Sequence, residues 1–231
     1  MATHISDNNE FDHKYSFVMK TKPMKSIDSL FVALLPYSQK IIIPKNKNYK
    51  LNEEKGSKGV ILFAEGIATL TYASSGLYSS TVYPPSILGL VHGYSSFYEI
   101  PNTLSQEVNL CAETDITLFF VQLQDFVAAI DAQNLWHDVA RILAHRLMLM
   151  IDRESENLKN NSYLKIKNII LEVWSYPEEY RTNINLPSFI QKRTGLSRSR
   201  IMKILMDLKK GEYITINSGK LTSVSKLPGA Y

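Results

Sequence analysis

The clearest pattern in the chain lies in residues 186–216, which read LPSFIQKRTGLSRSRIMKILMDLKKGEYITI. Phe189 and Ile190 supply the apolar inner face of a first helix. Gly195 then stands where a chain that turns between two helices needs a positive φ, and Ser197 can cap the next helix through its side-chain oxygen. A helix, a glycine turn and a second, capped helix in this order predict a helix-turn-helix.

The second helix of this pattern, over residues 197–211, has an apolar side and a basic side. Ile201, Ile204, Leu205 and Leu208 form its predicted buried stripe. The basic N-terminal turns are the part of such a helix that enters a DNA major groove, where arginine can donate two hydrogen bonds to guanine. Basic side chains on an exposed helix are often merely solvated. The order of a helix, a glycine turn and a capped basic helix nevertheless favours contact with DNA bases. The predicted DNA-binding residues are Ser197, Arg198, Ser199, Arg200, Lys203, Lys192 and Arg193, the last two as phosphate contacts.

Positive charge is concentrated in the same part of the chain. Residues 158–231 hold 13 Lys and Arg against 5 Asp and Glu, whereas residues 1–157 hold 13 against 17. A basic segment of this kind favours a polyanion partner, because each neutralised phosphate releases bound counterions. A solubilising surface would give the same charge, so double-stranded DNA is predicted from the charge and the motif together.

The region from Lys40 to Thr117 has the texture of an antiparallel β domain. Short β-branched and aromatic runs such as GVILFA, IATLTYA and LYSSTVY alternate with glycines and prolines about every ten residues. This spacing predicts a sandwich or barrel of small strands. Before it, the apolar spacing over residues 24–35 predicts a short amphipathic helix that Pro36 stops.

A long helix is predicted over residues 135–158, which contain neither Gly nor Pro. Its apolar positions cover about half of the helical wheel, which is wider than one contact requires. One face could lie on the β domain while another pairs with a second copy of the chain. The predicted dimerisation residues, which have coiled-coil spacing, are Ala140, Leu143, Leu147 and Met150.

The remaining C-terminal residues complete a three-part organisation. Helices are predicted over residues 163–174 and 187–194, and two short strands, YITIN and KLTSV, follow the basic helix. We therefore expect an α+β protein of three parts: an antiparallel β domain with its N-terminal helix (1–130), a dimerisation helix and hinge (131–160) and a helix-turn-helix segment with two short strands (161–231).

With this order of elements, residues 40–224 resemble the Crp/Fnr superfamily of bacterial transcription regulators, and TGLSRSRIMKIL resembles its recognition-helix motif. The resemblance implies that residues 1–130 form a sensor-like β-roll of the jelly-roll type, like that of cyclic-nucleotide-binding domains. It also implies that residues 161–231 form a winged helix-turn-helix, with Arg198 as the base-reading arginine. Ser199 departs from it, since members close to the cyclic-AMP receptor have glutamate there, so a different operator is expected. The chain is also similar to the enterobacterial IprA/YaiV group, which is named for inhibition of hydrogen peroxide resistance.

The sensor half departs further from the members that bind cyclic nucleotides. In those members a glutamate contacts the ribose and an arginine pairs with the phosphate. Here Leu90 stands at the glutamate position, and no Arg or Lys occurs between Lys58 and Arg141. A buried phosphate without a cation is costly, so binding of cyclic AMP is not expected.

Other sensing chemistry is sparse. The single cysteine, Cys111, excludes an internal disulfide and is a candidate peroxide-sensitive thiol, although a lone strand cysteine is more often a small core residue. His92 could ligate haem or be an ordinary loop histidine. The aromatic residues that could line a pocket or fill the roll are Tyr83, Tyr94, Phe97 and Tyr98.

The sequence also bears on the functional class. It has no GxSxG, HExxH or glycine-rich phosphate loop, so no enzymatic activity and no cofactor are predicted. No apolar run of membrane-spanning length occurs, and a cytoplasmic location is expected. The expected partners are double-stranded DNA and a second copy of the chain, with RNA polymerase as a further candidate. The alternatives are gating by an unidentified small ligand or by oxidation of Cys111, and a β-roll adaptor for other proteins.

Overall fold

A computed structural model describes residues 20–51, 53–55, 57–72, 78–91, 108–157 and 161–229 of the 231-residue chain. The described residues divide into two compact units, one formed by Pro23–Leu147 and the other containing the residues from Met148 onward. The predicted α+β class, with an antiparallel roll followed by a winged helix-turn-helix, is confirmed.

The first unit contains two antiparallel sheets. One sheet has the order β1 (Ser38–Ile43), β9 (Ile116–Gln122), β4 (Ser57–Glu65) and β3 (Glu53–Glu54), and β7 (Ser86–Leu88) also pairs with β4. The other has the order β2 (Asn48–Lys50), β8 (Val108–Ala112), β5 (Ala68–Tyr72) and β6 (Tyr78–Val82).

Strand β4 is buried on both faces, which explains its uninterrupted apolar run GVILF. Ile61 and Phe63 belong to the core between the sheets, whereas Val60 and Leu62 belong to a second core, formed with helices. Alternate residues of a strand point to opposite faces, so both apolar sets are needed here. At Gly59 an added Cβ would lie 2.1 Å from the Val121 carbonyl oxygen, so only glycine permits this close approach of β4 and β9.

The helical core is formed by α1 (Met24–Leu34), α2 (Leu123–Gln133) and the start of α3 (Trp136–Asn157). Helix α1 ends one residue earlier than predicted, and Leu35–Tyr37 continue as a 3-10 turn that contains Pro36. Proline can occupy the first turn of a helix because the amide hydrogen it lacks has no intrahelical partner there. No helix among the described residues combines the length and the apolar character that crossing a bilayer requires.

In residues 161–229, the structure describes four further helices and a hairpin. The helices are α4 (Ser162–Ser175), α5 (Glu178–Arg181), α6 (Leu186–Thr194) and α7 (Arg198–Lys210), and the hairpin pairs β10 (Ile214–Asn217) with β11 (Lys220–Val224). Helix α5 was not predicted, because its four residues, EEYR, are too few for any apolar periodicity. The unit's core includes Tyr163, Ile170, Leu186 and Ile204, all nearly inaccessible to solvent.

Candidate nucleic-acid interface

The turn between α6 and α7 has the features that its sequence predicts. Gly195 has a φ of 67°, and its amide donates to the Gln191 carbonyl oxygen (2.9 Å), which closes α6. Ser197 caps α7 by accepting a hydrogen bond from the Arg200 amide (3.4 Å). These local interactions set the direction in which α7 leaves the turn.

Helix α7 buries its apolar stripe and exposes its basic N-terminal turns. Ile201, Ile204, Leu205 and Leu208 are all less than 5% exposed, as predicted. Outside this stripe, the side chains of Arg198, Ser199, Arg200 and Lys203 are exposed. The Ser199 hydroxyl lies 3.2 Å from the Ser197 hydroxyl, so it is held beside the cap. The structure therefore places four of the predicted residues together on one exposed helix end.

A cleft of about 490 Å³ lies between this helix and the beginning of α4. Its lining includes Asn161 and Ser162 on one side and Arg200 and Lys203 on the other. Asn161 caps α4 by accepting from the Tyr163 amide. The first amides of a helix attract negative charge, and the side chains of Arg200 and Lys203 add two positive charges to the cleft. The cleft can thus accept an anionic group such as a backbone phosphate.

Arg193, which the sequence predicts as a phosphate contact, is paired with a carboxylate inside the second unit. Its guanidinium donates hydrogen bonds of 3.1 and 2.8 Å to the two carboxylate oxygens of Glu172. The two side chains are only 13% and 14% exposed. Tyr176 also donates to this carboxylate at 2.6 Å, and the guanidinium lies 5.7 Å from the Phe189 ring centroid. A two-pronged pair of this kind fixes α6 against α4. The adjacent Lys192 is exposed.

The hairpin β10–β11 is connected to the start of α6. The Leu186 amide donates to the Gly219 carbonyl oxygen at 2.7 Å. Gly219 has a φ of 82°, and a Cβ there would lie 2.4 Å from the Asn185 side-chain nitrogen, so glycine is required. The next residue, Lys220, is exposed. Sequence reasoning predicted this wing but missed Lys220 as a cation at its tip, although the adjacent Ser-Gly turn gave the signal.

The predicted dimerisation residues on α3 differ in exposure. Leu147 and Met150 are 57% and 65% exposed, and Ala140 is also exposed. Leu143 is half-buried and packs against the helical core of the first unit. Leu147 and Met150 are therefore apolar side chains that stay exposed to solvent among the residues that the structure describes.

In the first unit, the described residues include only part of the stretch that departs from the nucleotide-binding members of the family. Leu90 is buried, and Tyr83 is half-buried. Arg146, from α3, donates to the carbonyl oxygen of Ile87 in β7. Sequence reasoning missed this cation because it considered only the stretch between Lys58 and Arg141, and Arg146 lies outside it. The remaining residues named for this region, His92, Tyr94, Phe97 and Tyr98, lie outside the described residues.

Cys111 lies on β8, half-buried, with its sulfur 3.3 Å from the Thr71 hydroxyl oxygen. Within the parts of the chain that the structure describes, no group of three or more His, Cys, Asp or Glu side chains is arranged to hold a metal ion.

Comparisons with known proteins agree with this architecture. Residues 162–229 match the family described as winged helix-turn-helix DNA binding. Over 210 residues the chain is 27% identical to the Escherichia coli (strain K12) protein named "Inhibitor of hydrogen peroxide resistance", covering 91% of this chain and 98% of that protein. The Salmonella typhimurium protein of the same name is 25% identical over 211 residues, with the same coverage.

Two solved structures have the same fold. The global regulator CLP of Xanthomonas campestris has a TM-score of 0.66 at 12% identity, covering 86% of this chain and all of that one. A transcriptional regulator from Eubacterium rectale, assigned to the Crp/Fnr family, has a TM-score of 0.59 at 15% identity, covering 89% and 95%. The predicted resemblance is confirmed: the chain has the fold of the Crp/Fnr regulators and carries a winged helix-turn-helix of the DNA-binding kind.

Proposed function

We propose that the protein is a sequence-specific transcription regulator that binds double-stranded DNA as a homodimer, without cyclic AMP. The observation that carries this proposal is the exposed N-terminal end of α7, where Arg198, Arg200 and Lys203 stand beside the turn of a winged helix-turn-helix. Such an end fits a major groove, and its cations complement the charge of DNA.

The exposed side chains have different roles in this proposal. Arg198, in the first turn of α7, reads a guanine edge through its two-pronged donor geometry. Ser199, held beside the cap, contributes a short hydroxyl that can donate to or accept from a base. Arg200 and Lys203, which line the cleft beside α4, hold a backbone phosphate, and Lys192 contacts another. Arg193 acts indirectly, by positioning α6 through Glu172.

The dimer contact is assigned to α3. Leu147 and Met150 are exposed apolar residues at a spacing that places them on one side of a helix. Burying them against the same residues of a second copy would remove this apolar surface from water. We expect the recognition helices of the dimer to lie about 34 Å apart, which matches successive major grooves.

Binding of an operator tests this proposal. A random duplex pool is selected on the full-length protein, and affinities for the selected operator and for scrambled DNA are measured by fluorescence anisotropy at fixed salt. We expect an operator bound at least about a thousandfold more tightly than scrambled DNA. Arg198→Ala should weaken operator binding about 5- to 150-fold and leave scrambled DNA nearly unaffected.

Lys40→Ala is the matched control, because it removes one positive charge from an exposed strand residue of the other unit. It should bind the operator like the parent protein. Failure to select any sequence, or equal binding by the Arg198→Ala variant, would contradict the proposal.

The regulated genes are inferred from the relatives. Their shared name, and coverage of 91% of this chain, support control of genes that affect resistance to hydrogen peroxide. Raising the protein's expression in its host should lower survival in peroxide, and the Arg198→Ala variant should not. Equal survival with both proteins would contradict this assignment.

A further inference from the structure

Two methionines are exposed on the DNA-facing helix. Met202 is 37% exposed and Met206 is 53% exposed, and they stand four positions apart on α7. This spacing places them one above the other on the same side of the helix, away from the buried stripe. Lys203 is exposed between them in the sequence, and Ser199 precedes Met202 by about one turn. The surface presented to DNA thus includes apolar side chains as well as cations.

The chemistry of the major groove offers one apolar group to such side chains. Each thymine presents its C5-methyl there, whereas the other base edges present hydrogen-bond donors and acceptors. Methionine has an unbranched, polarisable side chain that adapts its shape to a small apolar surface. Contact between a thioether and a thymine methyl would remove both from water.

We propose that Met202 and Met206 are specificity residues that read thymine methyl groups in the operator. This inference rests on the proposed function, because it requires α7 to enter the major groove. The charge around the methionines supports DNA as the occupant of this surface: Arg198 and Lys203 are exposed on the same helix, and an apolar protein partner would have to desolvate them.

Deoxyuridine substitution tests the proposal directly. Deoxyuridine lacks the C5-methyl of thymine but keeps its hydrogen-bonding groups. In the selected operator each thymine is replaced singly, and affinities are measured by fluorescence anisotropy with the full-length protein. Burial of one methyl corresponds to about a fourfold change in affinity. We expect losses of about this size at one or two thymines in each half-site.

Variants of the two methionines assign the effect. The Met202→Ala and Met206→Ala proteins should bind the thymine and deoxyuridine operators equally at the position that each residue reads, so that the double-mutant cycle shows coupling. Met202→Leu should retain the discrimination, because it keeps an apolar side chain. Met148→Ala, which changes an exposed methionine of α3, is the matched control and should discriminate like the parent protein.

Two outcomes would overturn the inference without affecting the proposed function: an operator bound equally well with every thymine replaced, or discrimination that persists in both alanine variants. Alanine variants that bind DNA normally but no longer bind a second protein at the operator would likewise overturn it. That result would show that a protein, and not thymine, contacts Met202 and Met206. Absence of any selected operator is a different result, because it removes the proposed function itself.

Discussion

At the scale of single residues, burial separates two arginines that lie close together in the sequence. Arg193 pairs with Glu172, and its side chain is only 13% exposed. Arg198 is exposed at the first turn of α7. A buried two-pronged pair stabilises one packing arrangement, whereas an exposed guanidinium offers its donors to a ligand. The two arginines are therefore expected to affect different properties, stability in one case and DNA affinity in the other.

Replacing Arg193 should destabilise the second unit. Arg193→Ala leaves the mostly buried Glu172 carboxylate without its cation, and we expect the free energy of unfolding to fall by about 2 kcal/mol. Urea unfolding followed by Trp174 fluorescence, in a Trp136→Phe background, measures this change. Arg198→Ala should stay within about 0.5 kcal/mol of the parent. Unchanged stability of the Arg193→Ala protein, together with weaker DNA binding, would restore Arg193 as a phosphate contact.

Lys192 should contribute to DNA affinity without contributing to sequence choice. It is exposed at the end of α6, and a single phosphate contact accounts for a slope of about −0.9 in a plot of log affinity against log salt. Lys192→Ala should therefore make this slope shallower by about 0.9 and weaken operator and scrambled DNA alike. The same slope in the variant and the parent would show that Lys192 does not contact phosphate.

At the scale of elements, the sequence predicted what depends on nearby residues. The apolar stripe of α7, the positive φ of Gly195 and the cap at Ser197 were all predicted, because each follows from local spacing or backbone chemistry. The partners of Arg193 and Arg146 were not. Glu172 is 21 positions from Arg193, and Ile87 is 59 positions from Arg146. Only folding brings these groups together, so the contacts of each arginine could not be read from the residues next to it in the sequence.

Charging the exposed apolar residues of α3 should separate the subunits. Leu147→Glu and Met150→Glu place a carboxylate at positions that are more than half exposed in the single chain, so the fold should tolerate them. In a dimer the same charges would be buried, which is strongly unfavourable. Light scattering should therefore show the monomer mass. Leu143→Glu is less informative, because Leu143 also packs against the helical core.

His137→Glu is the control for this experiment. It adds a negative charge to an exposed position in the first turn of the same helix, where a carboxylate interacts favourably with the helix dipole. This variant should remain dimeric. A dimer mass for both Leu147→Glu and Met150→Glu would exclude this face of α3 as the subunit contact.

At the scale of the whole molecule, positive and negative charge are divided along the chain. Residues 158–231 carry an excess of 8 positive charges, and residues 1–157 carry an excess of 4 negative charges. DNA is therefore attracted to the winged helix-turn-helix and repelled by the remainder, which favours productive encounters. In the proposed regulator, a signal received by residues 1–157 would reach the DNA through the winged helix-turn-helix, because the charge of residues 1–157 does not favour contact with DNA.

The expectation that cyclic AMP does not supply this signal follows from the side chains around β7. Leu90, which the resemblance aligns with the ribose-binding glutamate, is buried, and no Arg or Lys occurs between Lys58 and Arg141. Arg146 does bring a cation to this region, but its guanidinium donates to the Ile87 carbonyl oxygen. A cyclic phosphate that paired with Arg146 would have to displace that contact, and Leu90 would still offer no partner to the ribose.

Calorimetry with millimolar cyclic AMP should consequently show no saturable heat, and a gel-shift assay should give the same operator affinity with and without the nucleotide. The Arg146→Gln variant makes the test specific, because it removes the cation and keeps side-chain donors. We expect this variant to behave like the parent towards the nucleotide. Saturable binding that raises operator affinity in the parent and is lost in the Arg146→Gln variant would instead identify Arg146 as the phosphate ligand of a working cyclic-nucleotide site.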